Sequence, residues 1–384
     1  MKRQMITRRE LLGGLGAVAA SCASEAAIVK GSLGAFGSAF LKKPSGKVWT
    51  WKEMFFNLAM DTWSKKVVMP EEVNKIGRSY WWMSGSANDI CFLASTMTWS
   101  MNAVGYQSGL TTVRCPYIST IGYVDPIMNS AVKKYYIPNL KDFSDRNNCF
   151  YNATRPIDVY INESTCAEIM SFRNFPGCNS RPSGVTFHGK DGTITYDGSS
   201  WNITAGIEEP YPYDQDEVPV FVDDTADLYW KDLFFKVTED GWDTSVTFPA
   251  EVNRTGRPSW LHSSKLEEVT LLCDSFAFAN NPICYGCAKC QTVNMPNLIE
   301  YGYPGPTMNG YCTALHIPKC KKFTSNIALG TKQARLDVYI DESSCAEIMA
   351  FQNFPSCTGT MRNNVFFHGS DGMISFDVTN WVIT

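Results

Sequence analysis

Along the C-terminal half of the chain one short pattern keeps returning: an apolar residue, any residue, an apolar residue, and often then proline. It stands at Val246-Thr247-Phe248-Pro249, Val269-Thr270-Leu271, Val293-Asn294-Met295-Pro296, Leu315-His316-Ile317-Pro318 and Val338-Tyr339-Ile340. The N-terminal half carries it at Val67-Val68-Met69-Pro70, Val113-Arg114-Cys115-Pro116, Tyr135-Tyr136-Ile137-Pro138 and Val159-Tyr160-Ile161. Period-two alternation predicts short strands whose flanking residues point inward and whose middle residue points outward. Proline ends most of them because it cannot donate to a continuing ladder. A short strand returning about every 23 residues predicts a solenoid, in which each turn buries its apolar face against its neighbours.

A longer repeat encloses the short one. Ile157-Asp158-Val159-Tyr160-Ile161 returns as Leu336-Asp337-Val338-Tyr339-Ile340, Cys166-Ala167-Glu168-Ile169-Met170 as Cys345-Ala346-Glu347-Ile348-Met349, and Phe187-His188-Gly189 as Phe367-His368-Gly369. Upstream, Trp51-Lys52 with Phe55-Phe56 matches Trp230-Lys231 with Phe234-Phe235, and Pro70, Asn74, Gly77 and Arg78 match Pro249, Asn253, Gly256 and Arg257. The offset, the same upstream and one position longer at the end, holds over about 155 residues, which chance does not sustain. Two tandem modules are therefore expected, at 47–204 and 226–384, with a linker at 26–46 and a second, acidic and proline-containing one at 205–225.

The segment Tyr285-Gly286-Cys287-Ala288-Lys289-Cys290-Gln291-Thr292-Val293-Asn294-Met295-Pro296 resembles the repeat of the BspA-like bacterial leucine-rich-repeat family. Ser108-Gly109-Leu110-Thr111-Thr112-Val113-Arg114-Cys115-Pro116 carries the same pattern with its leucine in place. Two departures stand out: Cys290 replaces the leucine, and the stretch ending Leu315-His316-Ile317-Pro318 is shorter than the pattern. The resemblance covers about 65–165 and 245–345. It implies an α/β leucine-rich-repeat solenoid with short parallel strands on one side and loops or short helices on the other. It also implies surface display and adhesion or partner binding, and it brings no catalytic residues.

Each module closes differently. Thr165-Cys166-Ala167-Glu168 and Ser344-Cys345-Ala346-Glu347 fit the capping box that starts a helix, and Asn-Phe-Pro then stops it. Val185-Thr186-Phe187-His188-Gly189 with Asp191-Gly192 predicts a strand, a turn and a strand covering the open end of the solenoid.

Composition narrows the function classes. With 44% hydrophobic and 19% charged residues the chain is expected to bury a real core. Its net charge of −4 argues against nucleic acid as the main partner. No apolar run is long enough to predict a membrane span. Lys2, Arg3, Arg8 and Arg9 precede a short apolar run from Leu11 to Ala20, the architecture of an export signal over residues 1–25. Thr7-Arg8-Arg9-Glu10-Leu11-Leu12 also resembles a twin-arginine signal, and Ala19-Ala20-Ser21-Cys22 loosely resembles a lipoprotein box that would place a lipid on Cys22.

Several constellations carry chemistry on paper. Cys284, Cys287 and Cys290 are spaced like part of an iron–sulfur run, although the matching first-module positions are Val104, Gln107 and Leu110, and core thiols explain Cys287 and Cys290 without a metal. Cys166 with Cys178, and Cys345 with Cys357, are either bridges across the terminal helix or buried thiols. Glu163 with Glu168 and Glu342 with Glu347 are better read as capping and helix-dipole residues than as acid and base. His188 and His368 have no nucleophile motif beside them, and Asp191-Gly192 and Asp371-Gly372 read as turns.

What remains is the row of outward strand centres, which stack along one face when the repeats stack: Val68, Arg114, Tyr136 and Tyr160 in the first module, Thr247, Thr270, Asn294, His316 and Tyr339 in the second, with Arg114, Tyr136, Tyr160, Asn294, His316 and Tyr339 as the candidate ligand-binding residues. Tyr and Arg are among the residues that dominate binding hot spots. The chain is therefore expected to be an exported or cell-surface binding protein, to use no cofactor, to have no enzymatic activity, and to recognise a protein or glycan through this face. The alternatives are an exported metal or redox protein using the second-module cysteines, and a structural surface component that binds copies of itself.

Overall fold

The computed structural model describes residues 48–76, 85–99, 109–121, 132–144, 146, 149–150, 156–179, 182–206, 220–221, 228–254, 261, 263–276, 287–302, 311–325, 329, 335–357 and 359–384. The expected export signal at 1–25, Cys22, Cys284, Gly77, Arg78 and nearly all of the acidic stretch 205–225 lie outside them. Val48–Trp49 and Val220–Phe221 belong to one small unit, where they pair in parallel, so the acidic stretch ends in a strand. All other described residues lie in a second compact unit.

That second unit is a β-solenoid in two runs. The first sheet has the order β8-β7-β6-β5-β4-β3-β2-β1, with β1 Lys66–Met69, β2 Asp89–Phe92, β3 Thr112–Arg114, β4 Lys134–Tyr136, β5 Ile157–Tyr160, β6 Val185–Gly189, β7 Gly192–Tyr196 and β8 Trp201–Ala205. The first six are parallel and the last three form antiparallel pairs. The second sheet repeats this topology with β9 Ser245–Phe248, β10 Glu268–Leu271, β11 Thr292–Asn294, β12 Ala314–His316, β13 Leu336–Tyr339, β14 Val365–Gly369, β15 Gly372–Phe376 and β16 Trp381–Ile383. Strand β2 was not expected; its Asp89-Ile90-Cys91-Phe92 fills the one long gap in the first module's spacing.

The alternation is realised in the register. Val67, Ile90, Val113, Tyr135, Val159 and Phe187 align across the first sheet and are all buried. Val269, Val293, Leu315, Val338 and Phe367 do the same in the second. At about 1.5–3 kcal/mol per buried side chain of this size, these two columns contribute substantially to the stability of the solenoid.

The prolines do more than end strands. In Cys115-Pro116-Tyr117-Ile118, Ile137-Pro138-Asn139-Leu140, Met295-Pro296-Asn297-Leu298 and Ile317-Pro318-Lys319-Cys320, the fourth N–H donates to the first carbonyl at 3.0–3.4 Å, a turn with proline at its second position, where its fixed φ belongs. The turn swings the chain into the next arc within a few residues. Where helices or loops were expected on the far side, described arcs instead carry two-residue strands paired in parallel: Lys75–Ile76 with Thr98–Trp99, Thr120–Ile121 with Asp142–Phe143, and Glu300–Tyr301 with Lys322–Phe323.

Helices close the runs. Trp51–Met60 (α1) begins at Thr50, whose hydroxyl accepts from Glu53 N–H in a capping box, and buries Trp51, Met54, Phe55, Leu58 and Ala59 on one stripe. Leu228–Glu239 (α3) buries Trp230, Leu233, Phe234, Val237 and Thr238 in the same way. The two short terminal helices, α2 Cys166–Met170 and α4 Cys345–Met349, show the expected capping boxes at Thr165 and Ser344. Each also gains a cap that the sequence hid: Asp191 Oδ1 accepts from Cys166 N–H at 2.7 Å, and Asp371 Oδ1 from Cys345 N–H at 2.6 Å. The Asp-Gly turns thus tie the terminal hairpin to the helix start. Gly192 and Gly372, at φ 149° and 157°, could not carry a side chain, since a Cβ on Gly192 would collide with Thr204 O.

Candidate functional site: the stacked strand face

Parallel pairing without offset places the outward centres of successive strands directly beside one another. In the first sheet this row is Val68, Cys91, Arg114, Tyr136, Tyr160 and His188; in the second it is Thr247, Thr270, Asn294, His316, Tyr339 and His368. All the strand centres expected from the sequence lie in these rows, the six candidate ligand-binding residues among them. Cys91, His188 and His368 extend them, and for the histidines a signal was available, because each is the centre of a Phe-His-Gly segment that alternates as the other strands do.

Planar side chains about one strand spacing apart stack face to face. Arg114 lies over the Tyr136 ring at 4.9 Å, Tyr136 stacks on Tyr160 at 4.6 Å and 17°, and Tyr160 on His188 at 4.3 Å and 15°. In the second sheet His316 stacks on Tyr339 at 4.4 Å and 5°, and Tyr339 on His368 at 4.5 Å and 16°. The ring faces are therefore spent on one another. What such a ladder offers a ligand is ring edges, which favours hydrogen-bonded recognition over stacking on a ligand's own flat face.

A second outward row, two residues earlier on each strand, supplies carboxylates along the diagonal. Arg114 donates to both oxygens of Asp89 at 2.7–3.0 Å. His188 Nε2 lies 2.9 Å from Asp158 Oδ1, His368 Nε2 2.8 Å from Asp337 Oδ1, and Asn294 Nδ2 2.5 Å from Glu268 Oε1. In every case the donor reaches back to the preceding strand. Arg335 also donates to both Asp337 oxygens, at 2.8 Å each, and this fork, with His368, holds the Asp337 carboxyl below its usual range. Burial pushes the His316 imidazole down and outweighs the opposing pull of Asp341 and Glu268, so its neutral form is favoured.

The two rows differ in access. Tyr136 is 1% exposed and His188 9%, while the Arg114 and Asp89 side chains keep only 12% and 13% of their surface. Arg114 and Tyr136 are thus placed in the row as expected but are largely covered, and Tyr160 beside them is half-buried. Asn294, His316, Tyr339 and His368 are all half-buried, which leaves an unbroken reachable row in the second run.

Apart from Cys91, which stands in the first row, the described cysteines singled out above sit elsewhere. Cys287 and Cys290 are buried in the core, their thiols directed at Leu261 O and Thr292 O. Among the described residues no three His, Cys, Asp or Glu side chains come together in a way that could hold a metal ion. Cys166, Cys178, Cys345 and Cys357 are all buried. Glu168 and Glu347 are held below the usual carboxylate range by the N–H and hydroxyl of their capping partners, the role expected of them. Among the described residues no helix is long and apolar enough to cross a membrane.

Comparison with family models, with curated proteins and with solved structures finds no match to this chain.

Proposed function

We propose that the chain is an exported bacterial surface protein, built by duplication of one leucine-rich-repeat module of BspA-like type, that binds a protein or glycan through the strand face of its second run. The observation that carries this reading is the accessible row Asn294, His316, Tyr339 and His368, already ordered by stacking and by its carboxylate partners. A pre-ordered row loses little side-chain entropy on binding, and polar edges at strand spacing suit a repetitive hydrogen-bonding ligand. The basic, then weakly apolar N-terminus supports export. The matched positions of the two halves support duplication.

The test applies residues 26–384 to arrays of immobilised polysaccharides and glycoproteins, beside the variants Asn294→Ala and His316→Ala and the first-run control Val68→Ala. Selective capture of the parent chain, weakened at least about tenfold by either second-run substitution and unchanged by the control, is expected. Capture that survives both substitutions would place recognition elsewhere on the molecule.

A further inference from the structure

Between the two runs, α1 and α3 meet along a seam in which every principal contact occurs twice with the partners exchanged. Trp51 lies 5.5 Å from Phe234 and 5.3 Å from Phe235; Trp230 lies 5.3 Å from Phe55 and 5.2 Å from Phe56. The Lys52 ammonium sits 5.0 Å over the Trp230 ring, and that of Lys231 sits 5.0 Å over Trp51. Lys52 pairs with Glu251 at 3.3 Å, and Lys231 with Glu72 at 3.6 Å. Each pair is the other moved along the chain by the offset that separates Trp51 from Trp230. This is the contact pattern of an isologous dimer interface, realised inside one chain.

A surface that meets its near-copy in this way carries both halves of each interaction. Residues 50–206 supply Trp51 and its receptors Phe55 and Phe56, and Lys52 and its acceptor Glu72; residues 228–384 supply the equivalent set. We infer that the α1 face is a docking surface for a second copy of this chain, so that the two runs can part and each can pair with a run from another molecule. A chain so exchanged presents two strand faces per partner and can build dimers or longer open assemblies, which raises avidity without any new contact.

Two contacts break the symmetry and set the preference. Lys75 pairs with Glu239 at 3.0 Å, whereas the matching positions are Arg254 and Met60 and cannot form an ion pair. The Phe55 ring lies 6.4 Å from Phe248, whereas the matching positions are Phe234 and Met69, and Met69 carries no ring. The first run therefore prefers the second over itself, but the preference rests on these two contacts while the rest of the aromatic centre is shared.

The experiment uses the full chain carrying a site-specific protease site within residues 207–219. The chain is cleaved after folding, and nitrogen-15-labelled and unlabelled preparations are mixed and followed by native mass spectrometry and circular dichroism. The expected result is a cleaved protein that keeps its folded signal, exchanges labelled and unlabelled halves, and shows homodimers of each half beside a larger population of mixed pairs. Lys75→Ala should lower the excess of mixed pairs by about twofold to fivefold, as loss of one exposed ion pair predicts. Mixed pairs alone at every concentration would overturn the inference. So would halves that separate as folded monomers, or that lose structure on cleavage, because docking between copies requires each half to hold its own core.

Discussion

Replacing Tyr339 by alanine removes the middle ring of the His316-Tyr339-His368 stack and leaves both imidazoles with one empty face. The ring makes two parallel contacts, at 4.4 and 4.5 Å, and such pairs contribute about 0.5–1.5 kcal/mol each beyond area burial, so the stacking loss is about 1–3 kcal/mol. Tyr339→Phe keeps both stacks and should cost no more than a few tenths of a kcal/mol. Urea unfolding of the two variants measures the difference, and hydrogen exchange in β12 and β13 shows where it is felt. The imidazole carbon protons of His316 and His368 should shift in Tyr339→Ala, which loses the ring current, and stay put in Tyr339→Phe. An alanine variant as stable as the parent, to within the few tenths of a kcal/mol typical of a neutral surface change, would refute the claim that ring faces order this row. A phenylalanine variant as unstable as alanine would refute it equally.

His316 gives a pH prediction. Burial holds its folded-state pKa below the ordinary 6.5, so the folded chain takes up a proton less readily than the unfolded one. Its contribution to stability is full above pH 6.5 and falls as the pH drops below it; urea midpoints at pH 7.5 and 5.5 should converge in His316→Gln. Ser344→Ala removes the hydroxyl that accepts from Glu347 N–H and should cost about 0.5–2 kcal/mol, read as loss of exchange protection in α4. Burial pushes the Cys178 and Cys357 thiols up to about 12, so these should react with a disulfide reagent at pH 8 only after denaturation, and rapid labelling of the native chain would contradict their packing.

The solenoid was legible because its cause is local. Alternating inward residues and a turn proline recur about every 23 residues, and backbone pairing converts that spacing directly into register. Strand β2 was within reach: Ile90-Cys91-Phe92 alternates just as Val269-Thr270-Leu271 of the matching strand β10 does, and neither carries a proline. Helix α1 was within reach: Thr50 and Glu53 form a capping box, and Trp51, Met54, Phe55 and Leu58 follow helical spacing. The row of outward centres followed from alternation alone. Its carboxylates did not, because Asp158 meets His188 far along the chain, through a diagonal that exists only once the strands are aligned. Access was hidden for the same kind of reason: Tyr136 and Tyr339 look alike in sequence, and only the packed molecule covers one and leaves the other reachable.

That difference in access bears on why one fold carries two nearly matched rows. In both, a histidine ends the stack and a carboxylate of the preceding strand holds it, so the ordering device does not depend on exposure. Where the row is covered, its polar groups must find partners within the chain, and the fork from Arg114 to Asp89 is the strongest pairing available to a guanidinium at 12% exposure. Where the row is reachable, water or a ligand can complete the hydrogen bonding, and smaller groups such as Asn294 and His316 suffice. Residue choice along the first row therefore answers to burial. Along the second, burial leaves the choice open, and a surface that is ordered without being internally saturated is the one on which selection for a partner can act.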